Sequence, residues 1–130
     1  MREILFRAKD TEGVWKCGDY IACNEEYCNI KERTLLRTNN LCKVKTVGQY
    51  TGLTDKNGYK IFEGDICEVT LFNCYGADRQ EIVEVINKYG CFWFKSESIL
   101  IVFDAVGNFE SDVEVIGNIY DNPELLKRSK

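Results

Sequence analysis

The sequence has no histidine, a single proline (Pro123) and no apolar run near the roughly 20 residues that cross a membrane. Each absence removes a class of function. Histidine is the commonest general base near neutral pH, so its loss removes Ser-His and Cys-His nucleophile arrangements. It also removes Cys₂His₂ and Cys₃His zinc sites and the His-x-Glu deaminase motif. The seven cysteines, Cys17, Cys23, Cys28, Cys42, Cys67, Cys74 and Cys91, include no Cys-x-x-Cys pair. An odd number leaves at least one unpaired within the chain. Reduced thiols in a cytoplasm are therefore expected, with no bound metal and no cofactor. Cys67 and Cys91 lie in β-like apolar runs and read as core. The opening stretch, Met1 to Asp10, alternates charged and apolar residues and does not read as a signal peptide.

What is present is an ordinary globular composition. The 130 residues suit one domain, or one core with a small appendage. With 17 basic and 21 acidic residues the net charge is −4, whereas nucleic-acid-binding domains are usually strongly basic.

Alternation dominates the pattern. Arg2–Ala8 reads as a strand with Ile4, Phe6 and Ala8 on one face, followed by a turn at Lys9–Gly13 and a second strand from Val14-Trp15. Residues Tyr20 to Thr38 fit neither period: a short helix around Glu25–Arg33 and an irregular excursion both remain open. Asp55-Lys56-Asn57-Gly58 is a tight turn with Asn-Gly at its centre, a source of positive backbone angles. Glu63-Gly64-Asp65 is a second turn before the strand that begins at Ile66. Ile82–Ile86, Cys91–Lys95, Ile99–Phe103 and Val113–Tyr120 complete the strands. Pro123–Leu126 suits a helical turn with Asn122 as its cap.

Short strands separated by turn signals predict a mainly β fold. The architecture expected is a small antiparallel SH3-like barrel over residues 41–130. Residues 1–40 would form an N-terminal appendage carrying a β-hairpin and a short helix.

Three stretches are distinctive. They are Val47-Gly48-Gln49-Tyr50-Thr51-Gly52-Leu53-Thr54-Asp55-Lys56-Asn57-Gly58 with Ile61-Phe62-Glu63-Gly64-Asp65-Ile66, the opening Arg2–Ala8 with Trp15, and the closing run Glu114–Leu126. Together they resemble the YopX family, small proteins of phages and prophages in Gram-positive bacteria. The resemblance covers both ends and the centre. It implies a β-rich fold with a barrel-like portion, a setting in the bacterial cytoplasm, and no catalytic residue or cofactor to carry over.

Each chemical motif has a plain alternative. Gly48-Gln49-Tyr50-Thr51-Gly52 reads as a ligand loop or as a glycine-kinked strand with Tyr50 in the core; the kinked strand is preferred. Glu63 and Asp65 could hold Mg²⁺, but a turn in which Asp65 binds backbone amides explains them more simply. Tyr89, Phe92, Trp93 and Phe94 offer a base-stacking platform. In a strand, however, Phe92 and Phe94 face one way and Trp93 the other, so Trp93 alone is the candidate partner-surface aromatic. Lys31, Arg33, Arg37, Lys43 and Lys45, against Glu32 alone, give residues 29–47 a charge of +4 and leave −8 on the rest.

The function expected is therefore a non-enzymatic phage or prophage accessory protein that binds a host or phage protein through an aromatic-bearing β surface or through its first forty residues. Self-association into a homo-oligomer is expected, and membrane insertion is not. The alternative is nucleic-acid binding through Lys31, Arg33, Arg37, Lys43 and Lys45, with Trp93 belonging to the protein-binding reading.

Overall fold

At three reversals of the chain an aspartate or asparagine side chain, Asp10, Asn24 or Asp55, takes up the backbone amides of the turn. The computed structural model describes residues 4–32, 41–72, 78–106 and 109–128. Eleven strands are formed by these residues: β1 (Phe6–Lys9), β2 (Trp15–Ala22), β3 (Tyr27–Lys31), β4 (Leu41–Lys43), β5 (Gly48–Thr54), β6 (Lys60–Phe62), β7 (Asp65–Phe72), β8 (Asp78–Lys88), β9 (Cys91–Lys95), β10 (Leu100–Val102) and β11 (Val113–Asn118). They build two antiparallel sheets, of order β4-β3-β2-β1-β5-β6 and β10-β9-β8-β7-β11. The chain divides into two units, Met1–Gly52 and Leu53–Lys130.

In the first unit, Asp10 Oδ1 accepts the amides of Glu12 and Val14, each at 2.9 Å, and Gly13 takes φ +85°. This turn sets β1 against β2 in the register Phe6↔Gly18 to Lys9↔Trp15. The Arg7 guanidinium lies 4.7 Å from the Trp15 ring centroid, so Trp15 returns to the first strand as the hairpin reading requires. Asn24 Oδ1 accepts the amides of Glu26 and Tyr27 and reverses β2 into β3. No helix forms around Glu25: Tyr27–Lys31 is a strand, with Cys28 and Ile30 fully buried between half-buried Tyr27 and Asn29. Arg33, the far end of the expected helix, lies outside the described residues. Ala8, Cys28, Ile30 and Cys42 form the unit's core, with Phe6, Val44 and Val47 packed against it. Ile4, read on one face with Phe6 and Ala8, is 63% exposed, whereas Ala8 is fully buried.

In the second unit, Val85, Phe94 and Ile101 stand in one cross-strand row and point into a core with Cys67, Val69, Val83 and Val113. Phe103, on the one-turn 3-10 segment after β10, stacks on Phe94 at 4.3 Å between centroids. Phe109, on the short helix Phe109–Asp112 (α1), stands 5.0 Å from Phe103 and 5.6 Å from Phe94.

The barrel expectation fails here. Neither sheet closes on itself among the described residues. The physical reason lies in the connection from β10 to β11. Its phenylalanines, Phe103 and Phe109, pack on the core-facing row of the second sheet, so the strands need not wrap around to bury it. The edge at β11 is also taken: Lys56 N–H donates to Val113 O and Val115 N–H donates to Asp55 Oδ2.

The tight turn expected at Asp55–Gly58 forms, with the positive backbone angle at Gly58 and none at Asn57. Gly58 alone takes a positive φ, +83°, while Gly58 N–H donates to Asp55 O and Asp55 N–H to Tyr59 O. This is a type I turn closed by a glycine bulge, not a two-residue mirror turn. The two-residue mirror turn occurs instead at Tyr89-Gly90, with φ of +56° and +78° between the paired residues Lys88 and Cys91. Cys91, read as core, is exposed beside it, and Cys67 is fully buried. Asn122 does not cap the last helical turn with its side chain: its Oδ1 accepts Asn118 N–H at 3.3 Å.

Candidate interaction surface

The outer face of the second sheet follows directly from the register. With Val85, Phe94 and Ile101 committed to the core, the adjacent row Ile86↔Trp93↔Val102 must point the other way. All three residues are half-buried. The next row on this face is Glu84↔Lys95↔Leu100, and the last is Lys88↔Cys91. An apolar row is thus bracketed by two exposed lysines, Lys88 and Lys95, and flanked at the β10 edge by Leu100 of the next row, which is 50% exposed.

Trp93 is fixed within this row. Its Nε1–H donates to Lys88 O at 3.0 Å, which lays the indole toward the hairpin tip. Tyr89 stands at that tip, 85% exposed, with Lys88 Nζ 5.2 Å from its ring centroid. A tyrosine in the left-handed region is uncommon and carries strain of about 1–3 kcal/mol. Sequence reading passed over Ile86 and Val102, because only pairing across three strands brings them beside Trp93. The Tyr89-Gly90 step at the centre of a two-residue hairpin loop was the available signal.

Among the described residues of this face, Glu84 carries the one resolved titration shift. Burial holds its carboxyl above the usual carboxylate range; the Lys95 ammonium opposes this and Glu63 adds to it.

The basic residues divide. Lys31 is exposed at the end of β3, while Arg33 and Arg37 lie outside the described residues. Lys43 and Lys45 do come together, on the walls of a groove of about 420 Å³ shared with Glu25, Glu26 and Tyr27. Thr46 builds this wall: its hydroxyl donates to Lys43 O at 2.7 Å and accepts Lys9 N–H at 2.9 Å. Val44 N–H donates to Glu26 O at 2.9 Å and ties the wall to the β2–β3 hairpin. The groove therefore presents both signs of charge.

Glu63 and Asp65 form the turn that their sequence allows. Asp65 is buried and its Oδ2 accepts Phe62 N–H at 2.7 Å, while Gly64 takes φ +91°. Tyr50 is likewise buried. Among the described residues no group of three or more His, Cys, Asp or Glu is placed to hold a metal ion. No helix among them is long and apolar enough to cross a membrane.

Two open antiparallel sheets and two core clusters define a mainly β architecture, with Trp93 facing away from the core of the second sheet. The family model described as YopX protein matches residues 5–127, and the chain belongs to the YopX family, a family of phage and prophage proteins. The motif resemblance seen in the sequence thus holds over most of the chain. The crystal structure of protein EF1440 from Enterococcus faecalis is similar, with a TM-score of 0.64 and 26% identity over 97% of this chain and 99% of that one. No curated protein matches.

Proposed function

We propose that the protein binds a host or phage protein in the bacterial cytoplasm through the outer face of its second sheet, with Trp93 at the centre of the contact. The observation that carries this reading is the in-register row Ile86, Trp93 and Val102 opposite the core row. Aromatic residues are enriched in partner surfaces, and energetic anchors are drawn from Trp, Tyr and Arg. Lys88 and Lys95 give the row a polar rim.

Self-association accompanies this reading. The two edges of the second sheet are treated differently. At β11 the outward backbone groups are taken up by Asp55, Lys56 and Asn122. At β10, Ser96 N–H bonds Ile99 O, so alternation turns the N–H and C=O groups of Leu100 and Val102 outward. An edge of this kind accepts a further strand, and a second copy supplies one.

The alternative is nucleic-acid binding through Lys31, Arg33, Arg37, Lys43 and Lys45. It is weakened by Glu25 and Glu26, which line the same groove as two of those lysines. Phosphate-led binding would also fall steeply with salt.

The test is capture from the lysate of a Gram-positive host, with and without nuclease, using the wild type, Trp93→Ala and the double variant Lys43→Glu/Lys45→Glu. The expected result is one protein recovered regardless of nuclease, lost with Trp93→Ala and kept with the double variant. Recovery that needs nucleic acid and the lysines would replace this reading with the alternative.

A further inference from the structure

Cys28 and Cys42 are opposed in the antiparallel pair β3–β4, in the register Tyr27↔Lys43, Cys28↔Cys42, Asn29↔Leu41. Directly opposed residues project to the same face of a sheet, so the two side chains lie side by side in the first unit's core. Both are fully buried and both are free thiols.

The class of the pair follows from one bond. Val44 N–H donates to Glu26 O at 2.9 Å, so Glu26 and Val44 form a hydrogen-bonded pair. Cys28 and Cys42 lie two residues along on each strand and belong to the same class. Such pairs stand about 5.5 Å apart between Cα atoms, within the range where disulfides are most often found. Their Cβ atoms stand about 4.5–5.5 Å apart, so closure draws them together by about 1 Å. β4 has three residues, a short element to move by that amount.

We infer that Cys28 and Cys42 are a latent modification site, a cross-strand disulfide that a hydroperoxide closes. In the first step one thiolate sulfur attacks a peroxide oxygen. The O–O bond breaks, leaving a sulfenic acid and hydroxide, which takes a proton to become water. In the second step the other thiol's sulfur attacks the sulfenic sulfur, the S–O bond breaks, and a second water leaves with the thiol's proton. Two thiols thus give up two electrons and reduce one hydrogen peroxide to two waters.

The surroundings set the pace. Burial, then the neighbouring Cys28, pushes the Cys42 thiol up to about 11, and burial, then Cys23, raises that of Cys28. Neither thiol offers much thiolate while packed, so oxidation waits on local opening of β4. Exposed Cys17, Cys23 and Cys91 react first.

The experiment blocks the exposed thiols of the folded full chain with one alkylating reagent. The protein is then treated with hydrogen peroxide, unfolded and exposed to a second, mass-distinct reagent. Peptide mass spectrometry is expected to find Cys28 and Cys42 joined, two hydrogen masses lighter and free of either label, with a raised Tm relative to the unoxidised sample. Second label on both cysteines, or a bridge from either to another cysteine, would overturn the inference. Cys42→Ser gives an independent arm: Cys28 should then take the second label and the Tm gain should vanish. If that variant does not fold, the peptide map of the wild type decides alone.

Discussion

Asp55 makes the same turn as Asp10, but buried. Each carboxylate accepts the amides two and four residues ahead through Oδ1, and each turn places a glycine with positive φ three residues on. The difference is the second oxygen. Asp55 Oδ2 takes Val115 N–H at 2.8 Å across sixty residues of chain, and the residue is 2% exposed.

That difference predicts unequal costs. Asp55→Ala leaves three amides without their charged acceptor and frees the β11 edge, for a loss of about 3 kcal/mol or more. Asp10→Ala loses a turn at the surface and costs far less. Urea denaturation of both variants checks this, and equal losses would contradict the pinning role of Asp55.

Gly64 and Gly58 form a second pair to compare. Both take positive φ, +91° and +83°. A Cβ on Gly58 meets open space, whereas one on Gly64 comes within 3.3 Å of the Tyr120 ring. Gly58→Ala is expected to cost about 1–2 kcal/mol from backbone strain alone. Gly64→Ala should exceed it, by Tm or by denaturant midpoint.

Tyr89 occupies a backbone position that suits asparagine or glycine. Tyr89→Asn is expected to stabilise the hairpin by about 0.5–1 kcal/mol, because asparagine tolerates φ of +56° better. If its ring belongs to the partner surface, the same variant weakens partner binding while raising Tm. A variant less stable than the wild type would show that the ring packs on the sheet.

Much of the fold was legible in the residues themselves. Glu63-Gly64-Asp65 read as a turn because aspartate and glycine each have a local backbone role there, and the structure uses both. The alternation in Cys91–Lys95 separated Phe92 and Phe94 from Trp93 without any knowledge of neighbouring strands. Sheet closure was not legible. Whether strands wrap into a barrel depends on what fills the core, and here Phe103 and Phe109 arrive from a connection that breaks the strand pattern. β3 was missed for a related reason: its short alternation Tyr27–Lys31 follows an Asx turn at Asn24 that hydrophobic periodicity does not detect. The opposition of Cys28 and Cys42, and the row through Trp93, are properties of register, which one strand cannot reveal.

Glu84 gives the pH prediction. Its carboxyl sits above the usual range, so the folded chain holds this proton more tightly than the unfolded chain. The resulting stabilisation is present in full below the unfolded value of about 4.3 and is lost as pH rises through the raised value. Glu84→Gln stays neutral throughout. It should therefore be more stable than the wild type at neutral pH, with the difference narrowing near about pH 4. A difference that widens on acidification would mean that the Lys95 attraction outweighs burial.

The most direct test of the partner surface is amide hydrogen exchange on the wild-type protein, free and bound to the captured protein. The prediction is added protection confined to residues 84–102, strongest around Trp93 and the outward amides of Leu100 and Val102. Protection falling instead on Glu25–Tyr27 and Lys43–Lys45, with β9 and β10 unchanged, would contradict it.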